Sequence, residues 1–173
     1  HFDRVVSWDF LGHILSTLKD PILQTILRVL KPGGLTFHII ETDGNNLLLR
    51  RAKKRPDIYQ EIFVDRVGHI GLEPPKNVID RFNRNGLKVI CAVPIWSLFF
   101  PSDNYLEYFS QYFGSDPVID LFARFHRLLN YLDRLTKKQV GPNILGLLNI
   151  IETNLISIKN TEGLFLVARK NDE

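Results

Sequence analysis

Apolar residues recur along this chain with two different periods, and their order predicts an α/β fold. Four short apolar runs have the pattern of buried strands, at residues 2–7, 35–41, 87–93 and 164–169. Between the first three runs, apolar residues spaced three and four apart predict helices that begin at Asp20-Pro21 and at Pro74-Pro75. Strands that alternate with helices in this way favour a parallel, doubly wound sheet.

The pattern changes in the second half of the chain. Asp116-Pro117 predicts a helix start, and apolar residues then keep helical spacing for about five turns, as far as Leu135. Gly141-Pro142 predicts a break before a further helix at residues 143–155. We therefore expect a single partial domain over residues 1–173. Its sheet core would comprise residues 1–95 and 163–170, with a helical insertion at residues 101–160.

The composition excludes several classes of protein. Hydrophobic residues make up 45% of the chain and charged residues 24%, which is typical of a globular domain. The net charge of +3 is too small to favour a nucleic-acid partner. The most apolar stretch is shorter than the ~20 residues of a membrane span. A single cysteine, Cys91, lies in an apolar run; we interpret it as a buried thiol, and the protein as cytoplasmic.

Three segments, taken in order, carry a resemblance to a known family. They are Phe-Asp-Arg-Val-Val-Ser at residues 2–7, Gly12-His13-Ile14, and Arg-Val-Leu-Lys-Pro-Gly-Gly-Leu at residues 28–35. This order resembles the middle of class I S-adenosylmethionine-dependent methyltransferases. The resemblance implies the carboxyl-terminal half of a Rossmann-like methyltransferase sheet, with a helical insertion before the last strand.

The family's main cofactor motif has no counterpart in this chain. Neither the glycine-rich loop after the family's first strand nor the acidic residue after its second strand is present. The resemblance therefore implies methyl transfer to an unidentified small or medium acceptor, as the carboxyl-terminal part of a larger domain. A sheet that opens on residues 2–7 would expose a strand edge, so we expect either a preceding segment or a homodimer to cover it.

The resemblance also implies roles for residues at the strand ends. Ser7, Trp8 and His13 would line S-adenosylmethionine, and Asp9 would lie near the sulfonium or the acceptor. The alternatives are that Trp8 belongs to the core, that Asp9 caps a loop and that His13 is structural. Ligands of open α/β sheets bind beyond the carboxyl ends of the strands. The segment after the second strand, residues 41–43, is therefore also of interest.

The other histidines divide into three kinds. His69 lies in a glycine-flanked loop before a helix and is our candidate for a general base, because histidine titrates near ~6.5. The alternative is a surface-loop histidine. We interpret His38 as a hydrogen-bonded core residue and His126 as part of a helix surface. The histidines and the cysteine show no metal-ligand spacing, so we expect no metal.

An aromatic cluster follows the third predicted strand. We expect Trp96 and Tyr105 to line an acceptor pocket, because ligand pockets are mostly apolar and aromatic. The cluster could equally join the helical insertion to the sheet or form a dimer surface. The basic run at residues 50–55 could bind phosphate, although a solvated helix end is the better interpretation.

Two other functions remain open at this point. A methyltransferase-like domain that binds no cofactor could serve as a non-catalytic interaction module. A Rossmann-type oxidoreductase is the other, and the Lys-Pro-Gly-Gly turn argues against it.

Overall fold

A computed structural model describes residues 1–95, 111–113, 115–136, 140–155 and 157–172. These residues form an α/β fold around one four-stranded sheet. The strands are β1 (Phe2–Trp8), β2 (Leu30–Glu41), β3 (Leu87–Ile95) and β4 (Gly163–Lys170). Their order across the sheet is β1-β2-β4-β3, which places the last strand between the second and the third.

Six α-helices of four or more residues accompany the sheet in the described residues. They are α1 (Ser16–Val29), α2 (Leu47–Ala52), α3 (Pro56–Tyr59), α4 (Pro75–Arg84), α5 (Pro117–Leu135) and α6 (Val140–Leu155). A π-helical turn continues α3 over Gln60–Asp65, and short 3₁₀ turns lie at Leu11–His13 and Ile158–Asn160. In the described part of the chain, no helix is both long and apolar enough to cross a bilayer.

The sheet is mixed: the first three strands run in one direction, as their alternation with helices predicted, and only the last strand is reversed. β1 and β2 pair in parallel, whereas β4 runs antiparallel to both of its neighbours. An apolar run has the same composition in either direction, so periodicity did not reveal that β4 is reversed. The reversal brings Gly163 opposite Glu41, where the amide of Thr42 donates to the Glu162 carbonyl at 2.6 Å.

The first helix begins earlier than predicted. Asp20 is not its N-cap; the helix starts at Ser16, and Pro21 lies inside it. The Asp20 carboxylate instead accepts from Arg81 at 2.6 Å and from Asn85 at 2.8 Å. The earlier start also places Lys19 on the inner face of the helix, where it is buried. A tertiary charge network therefore replaces the local cap.

The predicted Lys-Pro-Gly-Gly turn lies at the start of β2. Phe2 pairs with Leu30 and Arg4 with Leu35, so the register of the two strands shifts across this segment. Gly33 has a φ of +70°, a left-handed conformation that glycine adopts without strain. The segment therefore acts as an irregularity within the strand rather than as a turn before it.

The main core lies between the sheet and the two helices α1 and α4. Its buried residues come from both layers: Leu11, Leu23, Leu30, Ile40, Val78, Phe82, Leu87, Leu164, Leu166 and Ala168. A second cluster joins the α2 region to α5: Leu49, Ala52, Phe63, Phe113 and Ile119. The helical insertion thus has its own small core, built against the segment after β2.

The two edge strands are more exposed than the prediction of buried strands required. Phe2, Val6 and Trp8 are exposed along β1, and Ile90 is exposed on β3. Cys91 on β3 is also exposed, so the interpretation of a buried thiol is wrong. Only the two central strands, β2 and β4, are as buried as a nearly continuous apolar run predicts.

The predicted helix start at Asp116-Pro117 is confirmed. The Asp116 carboxylate accepts from the amides of Val118 and Ile119 at 2.9 and 3.3 Å, which satisfies two of the free amides at the start of α5. The interpretation of His126 as helix surface is wrong, because its side chain is buried. Gly141-Pro142 does not end a helix but lies in the first turn of α6, where proline is tolerated.

Candidate functional site

Two carboxylates mark the carboxyl ends of the neighbouring strands β1 and β2. Asp9 directly follows β1, and its amide donates to the Ile39 carbonyl at 3.1 Å. Asp9 has a φ of 45°, an uncommon left-handed conformation for a residue other than glycine. Glu41 is the last residue of β2. Because β1 and β2 are parallel, both carboxylates lie at the same edge of the sheet.

His13 reaches this edge from the short helical turn after β1. Its Nδ1 lies 3.0 Å from the carbonyl oxygen of Gly68, which can only accept, so Nδ1 carries the proton and donates. Its Nε2 lies 3.3 Å from Oε1 of Glu41. Gly12 allows this approach, since a Cβ there would lie 2.6 Å from Oε2 of Glu41.

His69 reaches the same carboxylate from the loop before α4. Its Nε2 lies 3.9 Å from Oε1 of Glu41, and its ring centroid lies 4.9 Å from that of His13. The loop packs tightly against the turn of His13: the Gly71 amide donates to the Gly12 carbonyl at 3.0 Å. A Cβ on Gly71 would lie 1.7 Å from the Ile14 carbonyl oxygen, so only glycine fits there.

We call Asp9, His13, Glu41 and His69 the carboxyl-edge cluster. Burial raises the pKa of Glu41, and the charge of Asp9 raises it further, while His13 opposes both effects. Burial also raises the pKa of Asp9. For His69, burial and the charge of His13 lower the pKa to about 4. The fold therefore disfavours charge on three of the four side chains.

Several polar atoms of this cluster are buried without a hydrogen bond. They are Oδ1 of Asp9, Oε2 of Glu41 and Nδ1 of His69. An unsatisfied buried polar atom costs about 1–3 kcal/mol, so native proteins keep few of them without a reason. The unpaired atoms make this cluster a candidate for contact with a ligand.

A second polar group lies beside the cluster and is fully paired. Glu73 accepts from Ser16 at 2.7 Å and from Arg81 at 2.5 Å, and it lies 3.4 Å from Nζ of Lys19. Lys19 also donates to the carbonyl of Gly71, which ties this network to the His69 loop. We call Ser16, Lys19, Asp20, Glu73 and Arg81 the Glu73 network.

The structure brings three of the predicted site residues together and separates others from them. Asp9, His13 and His69 meet at the carboxyl edge, and His69 is buried rather than a surface-loop histidine. Ser7 faces away along β1, with its hydroxyl 2.6 Å from Nδ1 of His38. Trp8 is 66% exposed and therefore does not belong to the core.

The predicted acceptor pocket falls on residues that the structure does not describe. Trp96 and Tyr105, expected to line it, both lie outside the described residues.

The interpretation of His38 as a core residue is confirmed. It is buried, with Thr36 Oγ1 2.5 Å from its Nε2 and the Ser7 hydroxyl on its Nδ1. Burial lowers its pKa to about 4.

Glu41 is the residue whose role the sequence left open. Its only signal is a carboxylate at the end of a buried strand, which also describes many structural residues. Together with His13 and His69 it forms a group of metal-ligating atoms that lie within 4.8 Å of one another. The three residues are widely separated in the sequence, so no motif spacing reveals the group.

The chain was compared with known proteins. No protein-family model matches it, and no curated protein matches it. One similar solved structure is phosphoethanolamine N-methyltransferase 2 of Haemonchus contortus in complex with S-adenosyl-L-methionine, at 19% identity and a TM-score of 0.48. Another is the cyclase SpnF, at 14% identity and a TM-score of 0.47.

These likenesses cover nearly all of this chain but only part of the other proteins. The chain aligns over 98% of its length with the Haemonchus contortus enzyme and spans 33% of that protein. It aligns over 99% of its length with the cyclase and spans 50% of it.

Proposed function

We propose that this chain is the acceptor-side part of an S-adenosylmethionine-dependent methyltransferase. The observation that carries the proposal is the buried carboxylate of Glu41, held between His13 and His69 at the carboxyl edge of the sheet. Ligands of open α/β sheets bind at this edge. The motifs that resemble class I methyltransferases lead into the same edge, through Asp9 and His13.

Methyl transfer from a sulfonium needs few catalytic groups. The acceptor must be held in line with the methyl group, and an acceptor that carries a proton must lose it. S-adenosylmethionine, when bound, would supply the methyl group, and in our proposal the proton that the acceptor loses passes to Glu41. The raised pKa of Glu41 suits this role, because a carboxylate with a higher pKa is a stronger base.

The other members of the cluster position the acceptor. The proton on Nδ1 of His13 is fixed by the Gly68 carbonyl, and its Nε2 faces the Glu41 carboxylate at 3.3 Å. His69, predicted as a base, is a weaker base than an ordinary histidine because its pKa is lowered to about 4. We therefore assign His69 and Asp9 to contacts with the acceptor, and proton removal to Glu41.

The cofactor would lie beside this cluster. The proposed cofactor contacts on this chain are the backbone of Ser7, the exposed ring of Trp8, and His13. The rest of the cofactor site would come from sequence that this chain does not contain. Trp96 and Tyr105 remain our proposed walls for a small or medium acceptor.

The proposal is tested with the protein extended by its native flanking sequence. Transfer of a tritiated methyl group from S-adenosylmethionine is measured against a panel of amine, hydroxyl and carboxylate acceptors. With an acceptor that carries a proton, we expect Glu41→Gln to lower kcat by about 100-fold or more, the usual contribution of a general base. Binding of S-adenosylhomocysteine, measured by equilibrium dialysis, should change little.

Asp43→Asn is the matched control. This carboxylate also follows β2, but it pairs with Lys53 and lies outside the cluster. We expect it to keep nearly full activity. If the extended protein binds no S-adenosylhomocysteine and transfers no label, the non-catalytic interaction module becomes the better description. Equal activity of Glu41→Gln and wild type would remove Glu41 from the mechanism.

A further inference from the structure

Three candidate ligand atoms converge within the carboxyl-edge cluster. Because Nδ1 of His13 donates to Gly68, a neutral His13 presents an unprotonated Nε2 to the carboxylate of Glu41. Nε2 of His69 faces the same oxygen at 3.9 Å, which is too long for a hydrogen bond. The two acceptor atoms of His13 and Glu41 therefore face each other, and a positive charge between them would stabilise the arrangement.

A single proton satisfies only part of this arrangement. It can join His13 to Glu41, but Nε2 of the buried His69 then stays 3.9 Å from Oε1 of Glu41, too far for a hydrogen bond. Oε2 of Glu41 also stays unpaired. A divalent cation, by contrast, would engage both histidines and the carboxylate at once.

The donor set and its spacing suit a transition metal. Imidazole nitrogen and carboxylate oxygen are ligands of zinc and of its first-row neighbours, at about 2.0–2.2 Å from the metal. Tetrahedral ligands at that distance lie about 3.4 Å from one another. Glu41 lies 3.3 and 3.9 Å from the two imidazole nitrogens. All the ligand atoms of the group lie within 4.8 Å of one another, so binding would need the side chains to move inward.

The surrounding charges also favour a cation. Asp9 adds a second carboxylate to the cluster, and its Oδ1 is buried without a hydrogen bond. Lys19 is the ammonium group near Glu41, but it lies 3.4 Å from Glu73 and donates to the carbonyl of Gly71. The positive charge beside the cluster is therefore already paired.

We propose that Nε2 of His13, Oε1 of Glu41 and Nε2 of His69 form a binding site for one divalent transition-metal ion, with Zn²⁺ as the reference ion. Three protein ligands leave a fourth position for water or for an acceptor atom. A metal there would make Glu41 a weaker base, but it would also polarise an acceptor oxygen and lower its pKa, so that this weaker base could still take the proton. Metal binding itself does not depend on that function.

The test uses the same extended protein, without S-adenosylmethionine, so that it is independent of methyl transfer. Chelator-treated protein is titrated with Zn²⁺ in a calorimeter, and Co²⁺ is added in parallel to record its absorption spectrum. We expect one ion per chain, a higher Tm with Zn²⁺ and a four-coordinate Co²⁺ spectrum. His69→Ala and Glu41→Gln should each weaken Zn²⁺ binding at least tenfold.

His38→Gln is the matched control, since His38 is a buried histidine on β2 whose two nitrogens contact Ser7 and Thr36. It should bind Zn²⁺ as the wild type does. The proposal fails if folded wild-type protein takes up no Zn²⁺ at about 1 mM, a concentration at which even a weak site shifts Tm. It also fails if His69→Ala and Glu41→Gln bind Zn²⁺ as tightly as the wild type. Should either variant not fold, the wild-type stoichiometry and the Co²⁺ spectrum still decide the question.

Discussion

Glu41 and Glu73 are two carboxylates with nearly equal burial and opposite surroundings. Their side chains are 11% and 12% exposed. Burial alone would raise the pKa of both. In Glu73, hydrogen bonds from Arg81 and Ser16 and the charge of Lys19 outweigh burial, so the pKa is lowered. In Glu41, burial and Asp9 prevail, so the pKa is raised.

The difference separates a structural carboxylate from a functional candidate. The partners of Glu73 lie on α1 and α4, so its charge holds these two helices together. The contacts of Glu41 are two imidazoles, and one of its oxygens has no hydrogen bond. Depth of burial does not distinguish the two sites; the identity and number of the partners do.

The largest effect is expected from unpairing Glu73. Arg81→Met removes the cation that bridges Glu73 and Asp20, and leaves a buried carboxylate without its main partner. Removing one member of a buried pair typically costs about 3–5 kcal/mol, and we expect a value near the lower end because Asp20 is half-exposed. Urea unfolding at pH 7 measures the free energy of unfolding.

Arg124→Met is the matched control for this variant. Arg124 pairs with Asp120 one helical turn away, and its side chain is 72% exposed. An exposed pair of this kind contributes about 0.3–0.5 kcal/mol. If the two arginine variants lose equal stability, the Glu73 network does not hold α1 and α4 together as we infer.

A second large effect should appear in the pH dependence of stability. The pKa of His69 is lowered to about 4 by burial and His13, whereas an unfolded histidine titrates near 6.5. The unfolded chain therefore binds a proton more tightly, and stability is lost as the pH falls from about 6.5 towards 4. Between pH 7 and pH 4.5, His69→Gln should reduce this loss by about 2.5 kcal/mol, since one pKa unit corresponds to about 1.4 kcal/mol.

The measurement compares free energies of unfolding at pH 7 and pH 4.5, in the presence of a chelator so that no metal holds His69. His38→Gln provides a parallel, because burial lowers the pKa of His38 to about 4 as well. Both variants should lose less free energy of unfolding between pH 7 and pH 4.5 than the wild type does. If His69→Gln loses as much stability on acidification as the wild type, the fold does not hold His69 neutral.

The same contrast explains what the sequence could predict. Caps and apolar periodicity are local signals, and they correctly placed β1, α4 and the Asp116 start of α5. The direction of β4 was missed, because pairing between strands far apart in the sequence decides it. Asp20 was assigned to a local cap, although its partners Arg81 and Asn85 lie on and just beyond a different helix.

The candidate site shows the same limit. Asp9, His13 and His69 were selected one at a time, from a resemblance or from a loop context. His13 and His69 both reach the Glu41 carboxylate because Gly12 and Gly71 pack closely, which brings two distant loops together. The burial of His126 was missed for a similar reason: helical spacing indicates which positions share a face, but not which neighbouring element covers that face.

Replacing each of the two glutamates by glutamine tests the comparison with the smallest chemical change. Glu73→Gln removes a charge that Arg81 and Lys19 need, so we expect a loss of about 1–3 kcal/mol. Glu41→Gln removes a charge that burial disfavours. Because the folded pKa of Glu41 is raised, its contribution to stability is full below the unfolded value near 4.5 and falls as the pH rises.

The two variants should therefore move stability in opposite directions at pH 8. We expect Glu41→Gln to equal or exceed the wild type in the free energy of unfolding, and Glu73→Gln to fall below it. Urea unfolding of both variants, with chelator present, measures the difference. Equal destabilisation by the two changes would show that Glu41 is a structural carboxylate like Glu73, and would weaken the case for the carboxyl-edge cluster as a site.

The smallest effect should come from the exposed end of the Glu73 network. The Ser16 hydroxyl donates to Oε1 of Glu73 at 2.7 Å, but Ser16 is exposed and water can replace it. Ser16→Ala should therefore cost only about 0.5–1 kcal/mol, the net value of one hydrogen bond, while Arg81 keeps Glu73 ionised. Thr17→Ala, at the next exposed position of α1, controls for the change in helix propensity. Both are measured by urea unfolding at pH 7. A loss in Ser16→Ala as large as that in Arg81→Met would mean that the hydroxyl, and not the guanidinium, sets the charge state of Glu73; the contrast with Glu41 would then depend on one neutral hydrogen bond instead of on paired charges.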